Sequence, residues 1–141
     1  MIDEVVRSIA AAIRAVVPPE YEIYTENVHQ GAKLPCFFVE CKDAQRVDML
    51  NNQFFIRAEL AVICENDSDT KKQETDSITA VLFHALRVVY AGKQQLNGRR
   101  ISGKWQDGRF VINATYDIWP NIGSTDTDMM LELEKREYGN G

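Results

Sequence analysis

The chain has 141 residues, 45% of them apolar, and a formal net charge of -5. This length can bury one sizeable hydrophobic core but is too short for two ordinary domains. Lysines and arginines are scattered along an acidic chain, which argues against direct nucleic-acid binding. No apolar run approaches the roughly 18 residues of a membrane span, and the chain starts with acid where a signal peptide carries base. We therefore expect no membrane contact and a protein that stays in the cytoplasm where it is made.

The three cysteines, Cys36, Cys41 and Cys64, form no CxxC pair. Their odd number argues against a closed disulfide framework. We expect them to be reduced and to lie in or near the core, where free cysteine is common.

The first predicted element is an amphipathic helix over residues 3 to 17. Its apolar residues recur at three-and-four spacing, and Pro18-Pro19 then ends it. Residues 21 to 24 read as a short strand. Residues 25 to 35 contain Asn27, Gly31 and Pro35 and predict a loop of about eleven residues, which is long for a small domain.

Two strands are predicted next, over residues 36–42 and 53–64. In the first, Phe37, Val39 and Cys41 share one face, while Cys36 and Phe38 place apolar groups on the other. The second alternates clearly, and one of its faces is fully apolar while the opposite face is partly polar. One face of this sheet should therefore pack on the core.

A second helix is predicted to begin at the capping-box spacing of Thr70 to Gln73. Gly92 is predicted to end this helix by adopting the left-handed conformation, so the helix covers about twenty residues. Its predicted apolar stripe comprises Ile78, Val81, Leu82, Ala85, Leu86 and Val89.

A β-hairpin is predicted to close the fold, with strands over residues 99–105 and 110–118 and a turn at Gln106-Asp107-Gly108. Beyond Pro120 the chain becomes polar and acidic. The predicted fold class is α+β: a two-layer sandwich of two helices packed on a mainly antiparallel four- or five-stranded sheet. Residues 1–120 would form a single domain, and residues 121–141 an acidic C-terminal tail that acts as an added strand or an assembly arm.

No catalytic, cofactor-binding or metal-binding motif is present. His29 and His84 lack a second ligand or an acid at characteristic spacing, and no phosphate-cradling glycine loop occurs. The acids Asp67, Asp69, Glu74 and Asp76 lack the spacing of a calcium loop and fit better as helix N-terminal acids. The cations Arg99, Arg100 and Lys104 fit better as a solvated strand face than as a phosphate site. We expect no enzyme activity and no cofactor.

Two segments are typical of interaction surfaces instead. The loop at residues 25–35 carries apolar side chains in a polar setting, which suits docking against another chain or folding over its own core. The tail alternates Leu131 and Leu133 with glutamates, the pattern of an added edge strand; disorder is the other reading. The candidate subunit-interface residues are Val28, Gln30, Gly31, Leu34, Leu131 and Leu133.

The segment Ile23-Tyr24-Thr25-Glu26-Asn27-Val28-His29-Gln30-Gly31, followed by Pro35-Cys36-Phe37-Phe38-Val39, resembles the signature of a tail-terminator-like family of phage and prophage proteins. The order of elements and the acidic Met/Leu/Glu tail extend the resemblance over nearly the whole chain. Its motif residues are structural rather than catalytic.

The resemblance implies a structural tail protein that forms a ring, with six copies expected, on the head-proximal end of the tail tube. Such a ring would stop tube polymerisation and offer a head-joining face. Its partners would be other copies of itself, the tail-tube protein and a neck or head-completion protein. It would assemble in the cytoplasm of the bacterial host and end in the virion tail. The alternatives are a neck or head-closure ring protein and a small-molecule-binding α/β domain with a polar pocket between helix and sheet.

Overall fold

The computed structural model describes residues 2–25, 31–66 and 72–120. In chain order the elements are α1 (Ile2–Arg14), β1 (Glu22–Tyr24), β2 (Cys36–Asp48), a 3-10 turn (Leu50–Asn52), β3 (Phe54–Glu65), α2 (Lys72–Ala85), β4 (Val88–Ala91), β5 (Gln94–Asn97), β6 (Arg99–Gln106) and β7 (Arg109–Ile118).

The strands form one five-stranded sheet with the order β1-β2-β3-β7-β6 and a separate two-stranded sheet of β4 and β5. Only the short β1–β2 pair is parallel; the others are antiparallel. Both helices contribute side chains to the core against one face of the larger sheet. The predicted α+β fold of two helices on a mainly antiparallel sheet is confirmed.

Helix α1 forms because its apolar residues share one face, and Val5, Ile9 and Ile13 are completely buried on it. It ends at Arg14, three residues earlier than predicted. The Arg14 guanidinium donates hydrogen bonds to the carbonyl oxygens of Tyr21 and Pro18, each at 2.6 Å. These bonds satisfy backbone acceptors in the turn that follows the helix and fix the path of the chain into β1.

The predicted alternation in β2 and β3 is confirmed by their register. Phe37 pairs with Cys64 and Val39 with Val62, and all four side chains face the core beneath the helices. Phe38 faces the opposite side of the sheet. That side, which the core does not occupy, is called the outer face below.

The region after α2 differs from the prediction. The helix ends at Ala85, and β4 and β5 follow as a hairpin whose turn contains Gly92 with φ +63°. Val89 therefore packs into the core from a strand rather than from a helix. A glycine at positive φ serves a hairpin turn as readily as a helix end, so Gly92 by itself did not distinguish them.

Strand β2 also extends further than predicted, to Asp48 instead of residue 42. A register irregularity between Cys41 and Asp43 interrupts its pairing with β3, which then continues to the pair Asp48–Phe54. The second half of β2 is mostly exposed. This part of β2 lies at an edge of the sheet that β1 does not accompany, so its sequence lacks a core-facing alternation.

The predicted β6–β7 hairpin is confirmed, with Asp107 at φ +53° and Gly108 at φ +79° in its two-residue turn. Positive φ at both central residues matches the right-handed twist of the strands. Further along β7, the buried Tyr116 hydroxyl donates a hydrogen bond to the Leu86 carbonyl oxygen at 2.6 Å. Burial raises the pKa of Tyr116, which keeps this donor protonated and holds the end of α2 on the sheet.

No helix within the described ranges is long and apolar enough to cross a membrane.

Candidate functional site

The larger sheet has two edges along which no described strand is paired. Strand β6 forms one edge over its whole length. At the other edge, β1 pairs only with residues 36–38. Among the described residues, no strand pairs with this edge of β2 from Val39 to Asp48. Such edges carry unpaired backbone donors and acceptors that can bind another strand.

The two edges differ in charge. Strand β6 contains Arg99, Arg100 and Lys104 and no acidic residue. The open part of β2 contains three acids and two bases. On the outer face, Lys104 lies level with Phe38, two residues before Glu40, because Lys104 pairs with Val111, Val111 with Ile63 and Ile63 with Phe38. The edges are therefore complementary in charge as well as in their unpaired backbone groups.

Four charged side chains are available at these edges. Arg100 and Lys104 on β6 and Glu40 and Asp43 on β2 are all exposed. None of the four forms an ion pair with another residue in the described part of the chain. By contrast, Arg99 is bound to Asp117, with Nη2 and Oδ2 2.8 Å apart.

The middle of the outer face is held by cross-strand ion pairs. Asp117 of β7 accepts from Arg57 at 3.0 Å and from Arg99 at 2.8 Å. Arg109 lies 3.8 Å from Glu65. These partly exposed pairs contribute little stability individually, but they fix the side chains of three neighbouring strands relative to one another.

Two shallow clefts also lie on the outer face. The larger, of about 320 Å³, is lined by Lys42, Glu59, Arg100, Ser102, Asn113, Ala114 and Thr115. The smaller lies along β2, β3 and the β6–β7 turn. Both clefts are open to solvent on the side away from the helices. They do not have the position of the helix–sheet pocket expected for a small-molecule-binding domain.

The residues considered for catalysis or metal binding are not brought together. His84 is exposed at the end of α2, and His29 lies outside the described residues. Glu74 accepts a hydrogen bond from the buried Tyr21 hydroxyl at 3.1 Å and stands in the first turn of α2, as predicted. Asp67 and Asp69 lie outside the described residues. Within the described ranges, no group of three or more His, Cys, Asp or Glu side chains could hold a metal ion.

All three cysteines are free, as predicted, with Cys36 and Cys64 buried and Cys41 half-buried. Burial raises the pKa of the Cys36 thiol to about 11 and that of Cys64 to about 12, and it also raises the pKa of Cys41. Thiols with raised pKa values are protonated at neutral pH and are poor nucleophiles. These cysteines therefore pack as small apolar groups.

Of the candidate interface residues, Gly31 and Leu34 are within the described ranges. Gly31 is exposed with φ +81° and open space where a side chain would begin. Leu34 is half-buried beside Pro35, whose carbonyl oxygen accepts the Glu22 amide at 3.1 Å. Val28, Gln30, Leu131 and Leu133 lie outside the described residues.

The feature that the sequence reading missed is the tip of the β2–β3 hairpin. Met49 is 45% exposed and Leu50 is 85% exposed. The signal was available in Asn51-Asn52, since asparagine tolerates the positive φ of a tight turn between two strands.

Two comparisons with known proteins bear on these surfaces. The model of a family described as phage tail terminator protein matches residues 4–129 of this chain. Among curated proteins, none matches this chain. The family match covers both open edges and the hairpin between β2 and β3.

Proposed function

This chain belongs to the phage tail terminator family, and from that premise we propose that it closes into a ring that caps the tail tube. Membership confirms the resemblance carried by residues 23–39 and makes the protein a structural component of a phage tail. Ring formation, arrest of tube growth and a head-joining face are the proposed parts.

The observation that supports a ring is the pair of open, complementary edges on one sheet. Following the antiparallel pairs β2–β3, β3–β7 and β7–β6, β6 runs opposite to β2. Rotation about an axis along the strands keeps their directions, so β6 of one copy would meet β2 of the next as an antiparallel pair. A head-to-tail contact of this kind closes into a ring when the rotation per subunit closes.

Charge complementarity supports the same pairing. With the strands level, Arg100 of one copy would lie near Asp43 of the next. Lys104 would lie level with Phe38, two residues along the strand from Glu40, a distance of about 7 Å that its long side chain can span. All four side chains lie on or beside the outer face, so they would meet on one side of the joined sheet. Opposite charges opposed across an interface favour the correct register and disfavour others.

A ring built in this way would terminate a tube through its shape. One end would bind the last ring of tube subunits, and the other would present a different surface, so no further tube ring could add. We propose six copies, in keeping with the family, and a neck or head-completion protein as the second partner. Assembly would take place in the cytoplasm of the bacterial host. No catalysis is required, and we propose that the protein is not an enzyme.

The proposal is tested by mixing the purified protein with its cognate tail-tube protein. Light scattering coupled to size exclusion would give the mass of each species, and negative-stain images would give the tube lengths. We expect rings at one end of tubes whose growth is arrested. If the protein never binds the tube and binds a neck protein instead, it is a neck or head-closure protein rather than a tail terminator.

We also propose that Val28, Gln30, Gly31, Leu34, Leu131 and Leu133 contribute subunit contacts, with residues 1–120 acting as one domain and residues 121–141 as an assembly arm. Of these residues, the two that the structure describes are not fully buried: Gly31 is exposed and Leu34 is half-buried. Replacing Val28 and Leu34 with glutamate should reduce capping in the tube-length assay, because a buried apolar contact would gain an unpaired charge. Unchanged capping would remove the loop from the interface.

A further inference from the structure

Strand β6 is exposed along nearly its whole length. All of its residues except Ile101 are exposed, and the structure describes no strand paired with its outer side. An open edge of this kind can pair with other chains indiscriminately, and proteins commonly cover it. A strand that covers this edge would have to match the side chains on both faces of β6.

The face of β6 toward the helices is apolar. Ile101 packs against the core, and the Trp105 ring, 44% exposed, meets the Phe110 ring edge-on with centroids 5.3 Å apart. Between them, a Cβ atom at Gly103 would lie only 2.5 Å from the Phe110 ring and 3.2 Å from the Phe83 ring. Glycine therefore lets these rings lie against the strand, and an added strand would find aromatic surface beside its inward side chains.

The opposite face of β6 is basic. Arg100 and Ser102 line the larger cleft of the outer face. Lys104 lies on the same side, because it pairs with Val111, which lines the smaller cleft. The edge of β6 therefore fits a strand whose side chains alternate between apolar toward the helices and acidic toward the outer face.

The C-terminal tail contains such a segment. Residues 121–141, which lie outside the described residues, include five acidic and two basic residues. In a strand, Leu131 and Leu133 would share one face, and Glu132 and Glu134 the other. The leucines would then lie on the aromatic side of β6 and the glutamates on its basic side.

The tail also starts close enough to reach this edge. The Trp119 amide donates to Gln94 Oε1 at 2.9 Å, and Gln94 Nε2 donates to the Trp119 carbonyl oxygen at 3.4 Å. These bonds hold the end of the described chain beside the start of β5, which leads into β6. Arg100 is about 20 Å further along this path, whereas the chain from Trp119 to Leu131 spans up to about 40 Å when extended. The tail can therefore pass the β4–β5 turn and run along β6 in the same direction.

We infer that residues 131–134, called the tail strand below, add to the edge of β6 in the same chain while the protein is free. We also infer that β2 of a neighbouring copy displaces the tail strand when the ring forms; this part rests on the proposed function. One edge accepts one strand, so the tail strand and β2 exclude each other. The occupant comes from the same chain because a short tether gives it an effective concentration in the millimolar range.

The tail strand would keep the β6 edge covered until a ring forms. Free copies would then not pair through their sheets before they meet a tube. Displacement by β2 would release the tail for the subunit contacts proposed above.

Hydrogen exchange of the full chain, read by mass spectrometry at a concentration where light scattering gives the monomer mass, tests the strand addition. Amides of β6 and of residues 131–134 should both exchange slowly. Replacing Glu132 and Glu134 with lysine should speed exchange at both segments by about tenfold, because two attractive charge contacts become repulsive. The control replaces Asp126 and Asp128 with lysine, which makes the same charge change earlier in the tail, and it should exchange like the unmodified chain.

Carbodiimide cross-linking in an equal mixture of isotopically labelled and unlabelled chains identifies the copy that supplies the strand. Bonds from Lys104 to Glu132 or Glu134 should join residues of one chain, so both peptides should carry the same label. Mixed-label products as abundant as single-label ones would overturn the inference, since the strand would then come from another copy.

Self-association without the tube tests the displacement. The chain with Glu132→Lys and Glu134→Lys should form ring-sized species at about tenfold lower concentration than the unmodified chain, because β2 no longer competes with the tail strand. Unchanged self-association would overturn the displacement.

The strand addition and the proposed function can fail separately. Fast exchange of the β6 amides in the unmodified monomer, with normal capping of tubes, would overturn the tail strand and leave the proposed ring intact. Slow exchange of those amides in a chain that never caps a tube would support the strand addition, while the proposed function and the displacement that depends on it would both fall.

Discussion

Tail tubes are expected to grow uncapped when Lys104 and Arg100 are both replaced by glutamate. These substitutions would place like charges close to Glu40 and Asp43 of the neighbouring copy, and such juxtapositions cost several kcal/mol. All four side chains are exposed in the single chain, so folding should be unaffected. The measurement is the distribution of tube lengths in negative-stain images after mixing with the tube protein.

The decisive control restores complementarity. Adding Glu40→Lys and Asp43→Lys to the same chain should recover capping, because the opposed charges would again be opposite in sign. A chain with Arg87→Glu and Lys93→Glu carries the same change in net charge at two exposed positions away from the edges and should cap normally. If the double glutamate variant capped as well as the unmodified chain, the edge pairing would be wrong.

The second large effect is expected from Phe37→Ala, which should lower the free energy of unfolding by about 3–5 kcal/mol. Phe37 is completely buried, and its ring stacks on that of the buried Tyr21 with centroids 5.2 Å apart. Removing it would leave a cavity between β2 and the chain segment after α1. Urea unfolding followed by circular dichroism would give the loss.

The adjacent Phe38→Ala provides the matched comparison. Phe38 lies half-buried on the outer face and stacks on Tyr24 with centroids 5.5 Å apart, so its removal should cost about 1–2 kcal/mol. Equal losses for the two variants would mean that β2 is not oriented with one face in the core. Tube capping by folded Phe38→Ala protein should persist, since its side chain is not at an edge proposed to pair.

The sequence predicted those elements that carry strong local signals. The apolar spacing of α1, the alternation of β3 and the Asp107-Gly108 turn each depend on a few neighbouring residues. The faces of β2 followed from the same alternation. The family resemblance likewise came from a short run of residues and was confirmed by the match over residues 4–129.

The errors arose where one local signal fits two structures. Beyond Ala85, Leu86 and Val89 continue an apolar stripe that suits a helix, yet burial alternates from Val88 to Ala91 as in a strand. The Leu86 carbonyl is taken by the Tyr116 hydroxyl, thirty residues along the chain. A contact so distant in sequence cannot be read from the local pattern.

For the candidate surfaces too, some properties followed from the sequence and others only from the tertiary structure. Sequence alone determined that the chain is a small acidic α+β protein, that its cysteines are not paired, and that its family is structural. Tertiary structure decided that β6 and β2 are the open edges and that Met49 and Leu50 stand clear of the fold. The reason is physical: a side chain's type is local, whereas its exposure depends on which strands pair and where the helices stop covering the sheet.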